Sequence, residues 1–332
     1  MNDFYFIGVD VSKKKLDFCV LHENRIIIEA EVTNHQGAIM AFISNLESEF
    51  GIDVGDILVC AEHTGQYTYP LACACDTIKC KLWIENPSNI KYSSGIQRGK
   101  NDKIDAHRIA TYAMRFADKA RYYSLPNVEI VRLRQLEAER SLYVTDLAKY
   151  KAQLNDQKEY MPEKIFKIKA KRLSILIKSF EDAIKIITNE IELVISTTPK
   201  LARQYKLLQS IDGVGPTVAL NMIVITEAFT RFDNARQFNC YAGLAPFQYT
   251  SGSSLHSKAR VSHRANKSIK TLLHLSAVSL LSKAGGEMKQ YYLRKVEEGK
   301  SKMSVINALR AKIVARMFAV IRKNEFYKPI LA

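Results

Sequence analysis

The sequence predicts a mixed α/β domain over residues 1–125, a long helical hairpin over 126–200 and a mainly α-helical domain over 201–332. Three observations carry this division. Short apolar runs alternate with helically spaced segments in the first third. Two long stripes of three-four apolar spacing meet around Pro162. The last third holds 21 Lys/Arg against 7 Asp/Glu, whereas residues 1–125 hold 14 against 16 and residues 126–200 hold 14 against 11.

Residues 4–10 (FYFIGVD) form an apolar strand ending in Asp10. Runs at 15–21 and 25–32, separated by the turn-prone HEN of 22–24, extend it into a meander. Helical spacing follows at 35–49, then a strand at 56–61 with Glu62 directly after it. A helix near 67–77, a strand near 79–84 and a helix after Asn86 complete a β-β-β-α-β-α-β-α order, which is that of an RNase H-like fold. Residues 94–101 read as a polar loop, and a helix starts near Asp102. In 128–196 the first stripe runs through Leu133, Leu136, Tyr143, Leu147, Tyr150 and Leu154, with Arg140 interrupting it. The second runs through Leu173, Leu176, Phe180, Ile184, Ile187, Ile191 and Val194, and together they form a coiled-coil hairpin whose plain role is a spacer or dimerisation arm. In 207–225, Gly213 and Gly215 permit a tight turn and Pro216 starts a helix, the shape of a helix-hairpin-helix whose backbone N–H groups can hold a phosphate. An ordinary helix-helix turn reads equally well. Residues 244–262 are Ser/Gly-rich and read as irregular, with helices at 263–283, 286–298 and 302–324.

The net charge of +15 lies almost wholly in the last third, and such a field attracts a polyanion, most often nucleic acid. The composition, 47% hydrophobic and 25% charged, is globular and excludes a disordered chain. No apolar run is long enough to cross a bilayer, and no secretory leader is visible, so no membrane partner and a cytoplasmic location are expected. The six cysteines lack zinc spacing and are expected as reduced thiols.

Four acids stand where acids are costly unless they bind something. Asp10 and Glu62 end the first and fourth strands, which are parallel neighbours in an RNase H-like sheet. Asp102 and Asp105 are three apart on one helix and point the same way. Carboxylates gathered at one place repel, and Mg²⁺ (or Mn²⁺), which prefers hard oxygen ligands, relieves that repulsion. Two such ions about 4 Å apart suit phosphodiester cleavage. Taken singly, Asp102 reads as an N-cap, Asp105 as a partner of Arg108, and Glu62 as a surface residue. Asp3, Asp17 and Asp76 are expected to be solvated charge. Arg98, Lys100, Lys103 and Arg108 flank the helical acids and can hold phosphates, or simply balance those acids. The segment GLAPFQYTSGSS (243–254) offers serines beside glycine in a loop, where Ser253 and Ser254 are as eligible as any other and a surface loop is the plain reading. Lys258, Arg260, His263, Arg264, Lys267 and Lys270 follow with no acid among them, a plausible phosphate-binding strip.

Together, GVDVSK (8–13), AEHTG (61–65), QRGKNDKIDA (97–106), GVGPTVA (213–219), GLAPFQYTSGSS (243–254) and SHRANKSIK (262–270) resemble the DEDD transposases of the insertion sequence one-ten family, over essentially the whole chain. The resemblance implies a RuvC-like first domain in which Asp10, Glu62, Asp102 and Asp105 hold the metal. It implies that Ser251 is the nucleophile of a covalent serine–DNA intermediate. It further implies double-stranded donor and target DNA, a non-coding guide (bridge) RNA that pairs with both, and homodimers assembling to tetramers with the serine of one subunit reaching the acids of another. A prokaryotic, nucleoid-associated location is likewise what the resemblance implies. A RuvC-like junction nuclease and a non-catalytic RNA- or DNA-binding protein are the competing readings.

Overall fold

The computed structural model describes residues 4–93, 95, 101–247, 250–251, 255–256, 260–261, 265–282 and 286–328. The chain divides into two compact units, Met1–Leu125 and Pro126–Ala332.

The first unit is built on a five-stranded mixed sheet. Strands β1 (Tyr5–Val11), β2 (Lys15–His22) and β3 (Arg25–Thr33) form the antiparallel meander. Glu23 and Asn24 take left-handed backbone angles at its second turn, as a tight hairpin requires. Helix α1 (Gln36–Phe50) is capped by the His35 side chain and leads to β4 (Ile57–Glu62), which pairs parallel with β1. Helix α2 (Tyr69–Ile78), β5 (Lys81–Glu85), α3 (Pro87–Ser93) and α4 (Asp102–Arg115) follow. The strand order is β3-β2-β1-β4-β5. One face buries Ile7, Val9, Leu16, Phe18 and Val59 against residues of α1 and α2, such as Ile39, Ile43 and Leu71. The other buries Phe6, Cys19, Leu58, Cys60 and Trp83 against Ala106, Ile109, Ala110 and Ala113 of α4.

In the second unit, α5 (Val128–Asp156) and α6 (Glu163–Thr197) form the expected hairpin, with Pro162 immediately before α6. Phe180 packs on Tyr143 and Tyr150, with ring centroids 5.8 and 5.6 Å apart. Leu176 departs from the expected stripe and is exposed, because the seam turns past it toward Leu173 and the half-buried Ile177. Arg140 does not break the seam: its Nε donates to Thr188 Oγ1 across the hairpin at 3.3 Å, and it lies 3.8 Å from Glu137. At the hairpin base, Leu133, Ile187, Ile191 and Val194 share one core with the helices that follow.

Those helices are α7 (Pro199–Gln209), α8 (Pro216–Thr226) and α9 (Ala235–Tyr241). The sequence reading had no counterpart for α9, which Asn234 caps by accepting from the N–H groups of Arg236 and Gln237. The stretch expected to be irregular carries two short antiparallel ladders. They pair β6 (Pro246–Phe247) with β9 (Arg260–Val261), and β7 (Thr250–Ser251) with β8 (Leu255–His256). Polar composition conceals strands this short. The chain continues through α10 (Lys267–Ser282), α11 (Glu287–Glu297) and α12 (Lys302–Lys323). Among the described residues, no helix is long and apolar enough to cross a membrane.

Candidate active site

The sheet register gathers more acid than the sequence reading anticipated. Asp10 pairs with Asp17, and Asp17 with Glu31. On the other side, Val9 pairs with Ala61, so Asp10 and Glu62, each one residue further along parallel strands, are neighbours. Glu62 pairs in turn with Glu85. Laterally paired residues share a face. All five strands therefore place one acid in a single row, Glu31-Asp17-Asp10-Glu62-Glu85, on the face that α4 covers.

Helix α4 reaches this row because Gly8 lets it. A Cβ on Gly8 would lie 2.1 Å from the Ala106 carbonyl oxygen and 2.2 Å from the Ala110 nitrogen. Backbone packs on backbone there, and Asp102 stands one turn nearer the helix start. Asn101, not Asp102, caps α4, its side chain accepting from the Lys103 N–H at 3.3 Å. Asp102 instead lies 3.3 Å from the Lys15 ammonium, which also contacts Glu31 at 2.9 Å and Asp17 at 3.2 Å. The carboxylates of Glu31, Asp17 and Asp102 raise the Lys15 pKa above its ordinary value. Asp105 is paired with Arg108 at 2.6 Å. Among the described residues, no three His, Cys, Asp or Glu side chains stand in a metal-ligating arrangement.

Asp17 corrects the expectation of solvated charge. It is only 4% exposed, because mid-sheet register and the Lys15 side chain cover it. Asp76 does behave as expected, exposed and 3.8 Å from Lys79, and Asp3 lies outside the described residues. Glu85 was missed, although the signal was the same as for Glu62, an acid ending an apolar strand. Its carboxylate accepts from Tyr112 Oη at 3.1 Å, from Asn89 Nδ2 at 3.0 Å and from the Asn86 N–H at 2.5 Å, tying β5 to α3 and α4. Burial, and then the Glu85 charge, push the Tyr112 hydroxyl up to about 12, which keeps it a donor. His107, Arg108 and Arg115 line an open pocket beside α4 together with Ser93, Ile104, Thr111 and Tyr112.

Lys103 is exposed at the start of α4. Gly213 has φ +81°, and its missing Cβ admits Leu280 and Ser276, whose hydroxyl donates to the Gly213 carbonyl. Gly215 is exposed and precedes the first turn of α8. Lys267 and Lys270 sit on the first turn of α10, and the Arg260 backbone pairs with Phe247. The Ser251 backbone pairs with Leu255. Arg98, Lys100, Lys258, His263 and Arg264 lie outside the described residues. The six cysteines are free thiols, four of them buried.

The DEDD transposase family of IS110 elements matches residues 7–161, and the family described as "Transposase IS116/IS110/IS902 family" matches residues 205–293. The chain is 26% identical over 333 residues, 96% of each chain, to the "Pilin gene-inverting protein" of Moraxella lacunata. It is 22% identical over 350 residues to the "Transposase for insertion sequence element IS1111A" of Coxiella burnetii, covering 99% of this chain and 92% of that one. A shorter match, 30% over 122 residues, links 37% of this chain to 30% of the "Insertion element IS110 uncharacterized 43.6 kDa protein" of Streptomyces coelicolor. Matched through both units, this chain belongs to the IS110 family of DEDD transposases and is a DNA transposase/recombinase.

Proposed function

We propose that this transposase breaks and rejoins DNA strands with a divalent cation held by Asp10, Glu62, Asp102 and Asp105 and with Ser251 as nucleophile. The observation that carries the metal half is the cross-strand acid row, with the first turn of α4 brought to it over Gly8. A RuvC-like, RNase H-like first domain agrees with the strand order. The donors fit a hard cation, since they are carboxylate oxygens in a row where like charges directly opposite one another destabilise the sheet. Asp102 and Asp105 face an ammonium and a guanidinium, which marks the places where positive charge is needed. When bound, Mg²⁺ or Mn²⁺ would stabilise negative charge on the attacking and leaving oxygens.

In the proposed step the Ser251 Oγ loses its proton and forms a bond to phosphorus as one DNA P–O bond breaks, and the leaving oxygen takes up a proton. One phosphoester replaces another, so rejoining needs no external energy source. Lys103, Arg108, Lys267 and Lys270, with Arg98, Lys100, Lys258, Arg260, His263 and Arg264, would neutralise backbone phosphates. Gly213 and Gly215 would present backbone N–H groups to a phosphate in a helix-hairpin-helix turn. A guide RNA bound with the DNA agrees with the basic last third. The exposed Ile165, Ile168, Ile175, Ile186 and Leu193 of α6 agree with a coiled-coil assembly of dimers into tetramers. A pilin gene-inverting relative agrees with strand exchange rather than simple cleavage.

The test is a strand-exchange assay with Mg²⁺, DNA substrates and transcribed flanking RNA. A covalent protein–DNA adduct should form with the native chain and vanish in Ser251→Ala, and Asp10→Asn and Asp102→Asn should abolish cleavage. An adduct persisting in Ser251→Ala sinks the serine assignment, and retained exchange in the Asn variants sinks the metal site.

A further inference from the structure

The Lys15 side chain has no role in the chemistry above, yet three carboxylates converge on its ammonium. We infer that Lys15 is a built-in counter-ion and positioning residue, holding Asp17, Glu31 and Asp102 together in the metal-free chain and competing with the divalent cation for Asp102. The inference rests on the metal reading of that site.

An ammonium has three donors and no acceptor, and here three carboxylates stand 2.9, 3.2 and 3.3 Å from it. Its backbone is fixed on both sides. Ser12 Oγ donates to the Lys15 carbonyl at 2.7 Å, the Ser12 N–H donates to the same oxygen at 3.1 Å, and Lys15 pairs with Thr33 across β3. The three arms are unequal. The Asp17 side chain is 6% exposed and cannot turn to water, whereas those of Glu31 and Asp102 are 59% and 52% exposed. Asp17 therefore needs a cation beside it in every state, and Asp102 is the arm able to change partners. Asp102 lies one helical turn before Ala106, which packs on Gly8 beside the row that contains Asp10. A divalent ion entering there meets an ammonium already drawn to one of its ligands. Two positive charges at that range repel appreciably even at the effective dielectric of a protein surface.

The test uses full-length chain and Mn²⁺ alone, with free Mn²⁺ read by electron paramagnetic resonance. Lys15→Met removes the charge while keeping a long side chain, and Lys15→Arg keeps the charge. The expected result is Mn²⁺ binding roughly tenfold tighter in Lys15→Met, near-native binding in Lys15→Arg, and a larger rise in melting temperature on going from EDTA to Mg²⁺ in Lys15→Met. Lys15→Gln repeats the test if Lys15→Met does not fold, judged by circular dichroism. Native-like or weaker Mn²⁺ binding in the neutral variants overturns the counter-ion role while leaving the metal site standing. A native chain that binds no Mn²⁺ overturns the metal reading itself.

Discussion

Replacing Gly8 by Ala adds a single methyl group at the point where α4 crosses β1, and its cost can be worked from the contacts. The new Cβ would stand 2.1 Å from the Ala106 oxygen, 2.2 Å from the Ala110 nitrogen and 2.8 Å from the Ala110 Cα. All three are backbone atoms of α4, so no side-chain rotation relieves the clash. Restoring a contact of ~3.5 Å requires the helix to retreat by ~1.4 Å. Overpacking of this kind costs about 1–3 kcal/mol. The same retreat carries Asp102 from 3.3 Å to beyond ion-pair distance of Lys15. If the acids of α4 take part in the chemistry, a misplacement of this size lowers strand exchange by roughly 10²-fold. Trp83 is the sole tryptophan, is buried on the face that α4 covers and lies 5.2 Å from the Tyr112 ring. Its fluorescence during urea denaturation therefore reports the first unit directly. A Gly8→Ala chain with an unchanged midpoint and full activity would refute the reasoning, because α4 could not then be seated on Gly8.

Two further predictions concern the second unit. Burial raises the Glu137 pKa above the ordinary carboxylate value, against the opposing pulls of Asn221 and Arg140. A folded-state pKa above the unfolded one means the folded chain binds more protons in the window between them, so this group's contribution to stability falls as pH rises just above the usual carboxylate range. Glu137→Gln keeps an acceptor for Asn221 Nδ2, which now donates to Glu137 at 2.8 Å, and should flatten that slope. A denaturation series across the window showing the native slope in the variant would rule this out. Leu133, fully buried at the hairpin base, should cost about 2–5 kcal/mol as Leu133→Ala. The loss should appear in the helical signal of the second unit while the Trp83 transition stays in place; a loss below ~1 kcal/mol would mean that the hairpin base is not part of that core.

Much of the candidate site was legible because its signals are local. An apolar run ending in Asp10, another ending in Glu62 and two acids three apart on one helix are visible in short windows, as is the ambiguity between ligand and ion pair at Asp105. Asp17 was misjudged for the converse reason. In the sequence it is one acid inside KLDFCVL, and nothing nearby says that register sets it between Asp10 and Glu31. Glu85 carried the Glu62 signal but lacked a stated neighbour until β5 was paired with β4. The ladders of 246–261 and the short helix α9 escaped because elements this small owe their existence to what they pack against rather than to periodicity.

The order of elements in the first unit, the hairpin around Pro162, the concentration of positive charge after residue 200 and the four acids proposed as metal ligands are properties of the amino-acid sequence alone. Each depends on residues close together in the chain, where spacing and composition act directly. The five-acid row, the seat of α4 on Gly8 and the three-carboxylate grip on Lys15 were decided by the tertiary structure. They depend on strand register and helix packing, contacts between residues far apart in sequence that only the folded chain brings together.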